Sequence, residues 1–155
     1  MSTKGKRLIY VGSADGSAAK PLNVEGKAIA AIAPGTIVEE VAAGLQVNAA
    51  AATLFGQELL VADKDQLRTK SVDDAWTINE NMVAIKARSG EYLNVFVAAG
   101  NNLTARGMPL SLDGSGMLQI ATTPATVGVT SEQVLAYSDE IVNVAADALT
   151  RVRIA

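Results

Sequence analysis

Apolar residues along this chain come in short runs, and most runs are closed by Gly, Pro, Asn or Asp. Short β-prone runs bounded by turn formers predict strands rather than helices. An apolar run at 28–33 stops at Pro34-Gly35, a turn signal. Strands are expected at 36–41, 45–47 and 59–62. Residues 49–52 have the composition to nucleate a helical turn, but Asn48 and Gly56 bound them too closely for a stable helix. The clearest signal lies at 82–98. There Met-Val-Ala-Ile-Lys-Ala (82–87) leads through Arg88-Ser89-Gly90 into Glu-Tyr-Leu-Asn-Val-Phe-Val-Ala (91–98), which predicts a β-hairpin. Period two puts Leu93, Val95 and Val97 on one face, expected to be core, and Tyr92, Asn94, Phe96 and Ala98 on the other. Gly100-Asn101-Asn102 reads as a turn.

A second hairpin is predicted from 108–112 and 117–121, joined by Asp113-Gly114-Ser115-Gly116, where Gly accepts the positive φ that such turns need. Pro109 sets its strand at an edge or at a strand start. Strands at 133–137, 141–145 and 149–154 finish the chain, the last with Val152 and Ile154 opposite Arg151 and Arg153. Residues 63–74 read as an exposed polar loop and 122–129 as a linker. This spacing predicts an all-β fold: a compact β-barrel or β-sandwich of short antiparallel strands.

Residues 1–24 differ from the rest. A basic start with Lys4, Lys6 and Arg7 runs into a β-prone patch at 8–11, then into the flexible Gly-Ser-Ala-Asp-Gly-Ser segment and Pro21. They read as an extended N-terminal arm, or as a frayed terminus, before a β-rich domain at 25–155. No signal peptide is expected, because the apolar run after the early basic residues stops at Val11, and no apolar stretch approaches the ~20 residues of a membrane span.

Composition narrows the function. The chain has 155 residues, enough for one domain, and only 4% of them are aromatic. A core built on Ala and Val buries less area per side chain, so association of copies would help it. With no His and no Cys, a Ser-His-Asp or Cys-His centre cannot form. Gly26-Lys27 lacks the rest of a phosphate loop. The acidic neighbours Asp73-Asp74 and Asp139-Glu140 read as solvated turn charges, because neighbours in a strand point to opposite faces. Asp113-Gly114-Ser115-Gly116 lacks the further ligands of a calcium loop. The net charge of −3 gives no general basic face for nucleic acid. The expectation is therefore a non-enzyme without catalytic residues, cofactor or metal, that binds neither nucleic acid nor membrane.

The order of these pieces carries a resemblance. Pro34-Gly35-Thr36-Ile37-Val38-Glu39 opens the body, and Asp73-Asp74-Ala75 precedes Val83-Ala84-Ile85-Lys86-Ala87. Gly90-Glu91 then leads to a strand ending Ala98-Ala99-Gly100. Gly107-Met108-Pro109-Leu110, the Asp113-Gly114-Ser115-Gly116 turn and Met117-Leu118 follow, and the finish is Ala145-Ala146-Asp147-Ala148-Leu149-Thr150-Arg151-Val152-Arg153-Ile154. Over residues 34–155 this resembles the capsid decoration, or cement, proteins of tailed bacteriophages. The resemblance implies a β-rich body on the outer capsid surface of the virion, commonly a homotrimer that clamps neighbouring copies of the major capsid protein. It carries over no catalytic residues.

If the body is such a protein, the arm is the expected capsid or subunit interface. Lys4, Lys6 and Arg7 would bind phosphates or acidic protein surface, and Leu8, Ile9 and Tyr10 would add a strand to a coat subunit. Trp76, the sole Trp, reads either as a core plug or as an interface anchor. The arm is expected to be dispensable for folding. The rival readings are a virion-associated glycan-binding module, which needs exposed aromatic platforms, and another head or tail structural component.

Overall fold

The computed structural model describes residues 5–13, 15–16, 20–50, 58–122 and 132–155. Among them there are thirteen strands and no helix, so the fold is all-β. Strands β1 (Tyr10–Gly12), β7 (Tyr92–Val97), β9 (Pro109–Leu112), β10 (Leu118–Ile120), β11 (Ala136–Ser138) and β13 (Ala148–Ile154) form one sheet. Its order closes on itself: β7 pairs β10, β10 pairs β9, β9 pairs β11, β11 pairs β13, and β13 returns to β7. This is a closed five-stranded barrel, with β1 added beside β7. All its pairs are antiparallel except β7–β10, where Leu118 meets Val97 in parallel.

A second sheet has the order β2 (Leu22–Lys27), β6 (Asn81–Lys86), β5 (Leu60–Ala62), β3 (Ile37–Val41), β4 (Gly44–Val47). A parallel bridge from Ala28 to Leu45, with the Ile29 N–H donating to the Leu45 carbonyl at 3.1 Å, draws its two ends together. A ribbon of β8 (Asn101–Leu103) and β12 (Val142–Val144) stands apart.

Period two explains how the sheets pack. In β3, β5 and β6, Ile37, Val61 and Ile85 join the larger core with Leu93, Val95, Phe96 and Val152. Their neighbours Val38, Leu60, Ala62 and Ala84 line a smaller core instead. The middle strands of the second sheet, β3, β5 and β6, therefore face both cores. The smaller core surrounds Trp76 and Met82 with Ala28, Ala62 and Ala84, which is where the small side chains go. Strand β7 is also buried on both faces, Asn94 and Phe96 included, so its core is wider than the apolar face alone.

The expected hairpin at 82–98 does not form. Strand β6 has β2 and β5 on its edges, and β7 has β13 on one edge with β1 and β10 on the other. The turn itself is real: Gly90 has φ +83°. Its N–H donates to Ile154 at 3.0 Å, and the Ile154 N–H donates to Glu91 at 2.8 Å, which leads the chain into the other sheet. The 108–121 hairpin does form, with Leu118 opposite Leu112, and its first strand starts at Pro109. Asn101 and Asn102, expected in a turn, belong to β8. Strand β2 runs across residue 24, where the arm was expected to end. The expected helical turn at 49–52 and the linker at 122–129 fall largely outside the described residues.

Two glycines join the sheets. Gly35, at φ +92°, donates its N–H to Ala62 in the second sheet at 2.8 Å and accepts from Phe96 in the barrel at 3.0 Å. Gly116, at φ +76°, accepts from the Ile37 N–H at 2.7 Å. A Cβ on Gly35 would lie 2.2 Å from Leu149, and one on Gly116 would lie 2.6 Å from Val47 and 2.8 Å from the Ile37 carbonyl oxygen. Gly100 has a similar φ of +87° with nothing within 4 Å of such a Cβ. Gly100→Ala is therefore expected to cost only the conformational strain, about 1 kcal/mol. Gly35→Ala and Gly116→Ala add overpacking and should each cost about 2–4 kcal/mol. Urea unfolding checks this, and equal losses at all three positions would refute the close-approach argument.

Candidate interaction surface

The sequence-predicted interface residues fall into three groups. Lys4 lies outside the described residues. Residues 5–12 run along the barrel beside β7. Trp76 sits in the smaller core, 3% exposed, with its Nε1–H donating to the Asp63 carbonyl at 2.7 Å and its backbone exchanging hydrogen bonds with Ile32. Of its two expected roles, the core plug is the one it fills within this chain.

The N-terminal segment has one buried member between exposed ones. Leu8 is 53% exposed, Ile9 1% and Val11 44%. Ile9 packs in the larger core with Tyr10 against it. The Asn94 N–H donates to the Ile9 carbonyl at 2.8 Å, and the Asn94 side-chain amide donates to the Leu8 carbonyl at 2.7 Å. One polar side chain in an otherwise apolar strand thus holds the segment in register. Burial of Ile9 in the larger core and the pairing of β1 with β7 argue against the expectation that residues 1–11 can be lost without harm to the fold.

Ionic contacts pin the flanks. Lys6 pairs with Glu140. The other Glu140 oxygen accepts from the Arg151 N–H at 3.0 Å, while the Arg151 Nε–H donates to Asp139 at 2.5 Å. At the far end, the Tyr10 hydroxyl lies 3.5 Å from Glu91, whose buried carboxylate also accepts from the Arg88 backbone and guanidinium. Burial first, and the Glu91 charge second, push the Tyr10 hydroxyl pKa up. Arg7 makes no ion pair among the described residues.

The loop 63–80 borders this segment and is more ordered than an exposed polar loop. Asp63, Asp65 and Val72 are buried. Asp63 accepts from the Lys64 N–H and from Gln66, both at 2.8 Å, and burial pushes its carboxyl pKa up. Asp65 accepts from the Arg68 N–H at 3.1 Å, and Asp74 from the Ser71 N–H at 2.8 Å. Glu80 accepts from the Thr77 N–H at 2.7 Å, Arg68 at 2.6 Å and Lys70 at 3.3 Å. The Thr77 N–H above all, with Lys70 and Arg68, lowers its pKa to about 2. These carboxylates are local caps rather than free charges, and they hold Leu67 outward at 94% exposure and Ile78 at 61%.

Shallow clefts converge on the start of the described chain. One of about 460 Å³ lies between residues 5–7 and the loop at 64–73. Another of about 360 Å³ is lined by Leu8, Val11, Asn94 and Arg151 as well as residues 5–7. Sequence reasoning identified Lys6, Arg7, Leu8 and Tyr10 but missed Lys64, Lys70 and Arg151. No local pattern joins residue 7 to residue 64; the one available signal was Asn94, an isolated amide inside an apolar strand. Among the described residues there is no group of His, Cys, Asp and Glu that would hold a metal ion.

Two results are expected. Ile9→Ala should cost about 2–5 kcal/mol in urea unfolding, while Arg7→Ala stays within about 0.5 kcal/mol; equal effects would contradict the anchoring role of Ile9. Glu80 has a folded pKa below its ordinary value of 4.5. Its contribution to stability is therefore complete above about pH 4.5 and lost as pH falls through about 2. Thermal melts of wild type and Glu80→Gln should differ at pH 7 and converge across that window, and a pH-independent gap would refute it.

No protein-family model matches the sequence, and the search of curated proteins likewise gives no match.

Proposed function

We propose that this is a structural virion protein that binds the outer surface of a tailed-phage capsid and cements neighbouring copies of the major capsid protein, acting as a homotrimer. One observation carries the reading beyond the sequence resemblance. Strand β1 lies beside β7 at the edge of its sheet, and around it Leu8 and Val11 are exposed while Ile9 is buried in the larger core. Outward apolar side chains on a segment already fixed to the body supply contact area for a partner surface. The proposed mode is docking on a preformed segment, not the folding of a loose arm.

The mechanism is mass action. A protein that binds the assembled shell better than free coat subunits stabilises the shell, and contacts repeated by symmetry add as avidity. Three copies in a closed ring give each copy the same neighbour contacts. The aromatic-poor core and the exposed Leu8, Val11, Leu67, Ile78 and Ile141 favour association. This reading uses no catalytic residue, cofactor, nucleic acid or membrane.

Light scattering should give a mass near three times the 16.0 kDa of one chain, and a stable dimer would contradict the ring. Co-sedimentation with undecorated heads of the parent phage tests docking. Wild type should pellet with the heads, and Leu8→Asp with Val11→Asp should weaken binding roughly tenfold or more while the melt is unchanged. If wild type stays in the supernatant, the cement reading fails; binding to glycans instead would favour a glycan-binding module.

A further inference from the structure

The cleft between residues 5–7 and the loop after β5 has an unusual charge balance. It brings together Lys6, Arg7, Lys64 and Lys70, against a single lining carboxylate, Asp73. The chain as a whole is negative at −3, so this is a local excess of the opposite sign. The cations come from segments far apart in sequence, and the fold assembles them.

Two of the four are held and two are open. Lys6 pairs with Glu140, and Lys70 lies 3.3 Å from Glu80. Arg7 and Lys64 make no ion pair among the described residues. Val72 lines the cleft and is buried, and the Thr69 and Ser71 side chains on its wall are exposed. Asp65 and Asp74 cap the backbone of the loop wall, so ordering it costs little on binding. An Arg fork beside an ammonium suits carboxylate oxygens, the Arg by paired donors and the Lys as a point charge.

We propose that this cleft binds a carboxylate-bearing protein segment, an acidic stretch of the coat partner, with Arg7 and Lys64 as its contacting cations. The assignment rests on the cement reading above and names the partner chemistry of one docking point. The surroundings select protein over nucleic acid. A nucleic-acid tract needs a continuous basic face, whereas this cleft is a local patch with Asp73 in its lining on a chain of net charge −3. Leu67, on the same loop between Lys64 and Thr69, is 94% exposed and offers an apolar contact that a peptide can use and a free oxyanion cannot.

The test uses the full chain, labelled for amide NMR, with hexaglutamate as probe and inorganic phosphate and a single-stranded oligonucleotide as comparisons. Hexaglutamate should shift the amides of residues 5–7 and 64–73, with affinity falling as salt rises. Arg7→Gln with Lys64→Gln should reduce that affinity at least about tenfold. Lys27→Gln, an exposed lysine on β2 that lines none of these clefts, should leave it unchanged. Absent shifts, equal affinity for phosphate, or tighter binding of the oligonucleotide would each overturn the assignment. The same double variant is then tested on undecorated heads. Reduced pelleting is the supporting result. Undiminished pelleting of the double variant overturns the docking role while the cement reading stands. If hexaglutamate binds as expected but wild type does not pellet with heads, the cement reading fails and the carboxylate site remains.

Discussion

The edge of β7 opposite β13 is divided among three separate segments. The N–H groups of Asn94, Phe96 and Ala98 donate to the carbonyls of Ile9, Gly35 and Leu118 at 2.8, 3.0 and 2.9 Å. Each bond recruits a different part of the molecule. Ile9 brings in the N-terminal segment, Gly35 the second sheet and Leu118 the strand that closes the barrel. A buried strand cannot leave its backbone groups unpaired without a cost of about 1–3 kcal/mol each. No single strand covers this edge, so all three segments must be in place together. Gly35 is the tightest of these contacts, because its N–H is committed to Ala62 while its Cα faces Leu149. Only a residue without Cβ fits between the sheets at that point.

This explains which parts of the fold were legible in the sequence. Strand positions were, because each apolar run is short and ends at a turn former, as at 37–41, 60–62, 92–97 and 148–154. The 109–120 hairpin was, because Asp113 caps its own turn, accepting from Ser115 at 2.7 Å and Met117 at 3.0 Å. Partner choice was not. The turn at Gly90 looks the same in sequence whether the chain folds back or crosses to another sheet, and the bonds that decide it come from Ile154. Strand β2 was hidden because Leu22, Asn23, Glu25 and Lys27 are exposed and leave little periodic signal. Strand β8 was hidden by Asn101 and Asn102, which look like turn residues; the Asn101 side chain accepts from the Ile120 N–H at 2.9 Å.

The candidate surface was legible only in part, for a related reason. The basic start and the β-prone patch could be read directly, and they pointed to a free arm. What could not be read is that Ile9 has a place in the core. Its neighbours look equally apolar, and only the carbonyl contacts from Asn94 and the packing of β7 separate the buried member from the exposed ones. The loop expected at 63–74 is polar and mostly exposed, but Asp63, Asp65 and Val72 are buried. Composition cannot distinguish a solvated carboxylate from one that caps backbone donors, and here Asp63, Asp65, Asp74 and Glu80 do the latter.

Buried and exposed members lie close together in the N-terminal segment, which ties the proposed docking to folding. Ile9 is buried beside the exposed Leu8 and two residues before the exposed Val11, with the ladder to β7 shifting register between Tyr10 and Gly12. A loose arm would lose conformational freedom on reaching a partner, at about 1–2 kcal/mol per ordered residue. A strand already paired to β7 has met that cost on folding, and so has a loop held by its own carboxylates. In the proposed docking, contacts made by Leu8, Val11 and Leu67 would then go mainly toward affinity. Because these elements are set in the monomer, substitutions confined to their outward side chains separate binding from folding, whereas removal of the segment disturbs both through Ile9.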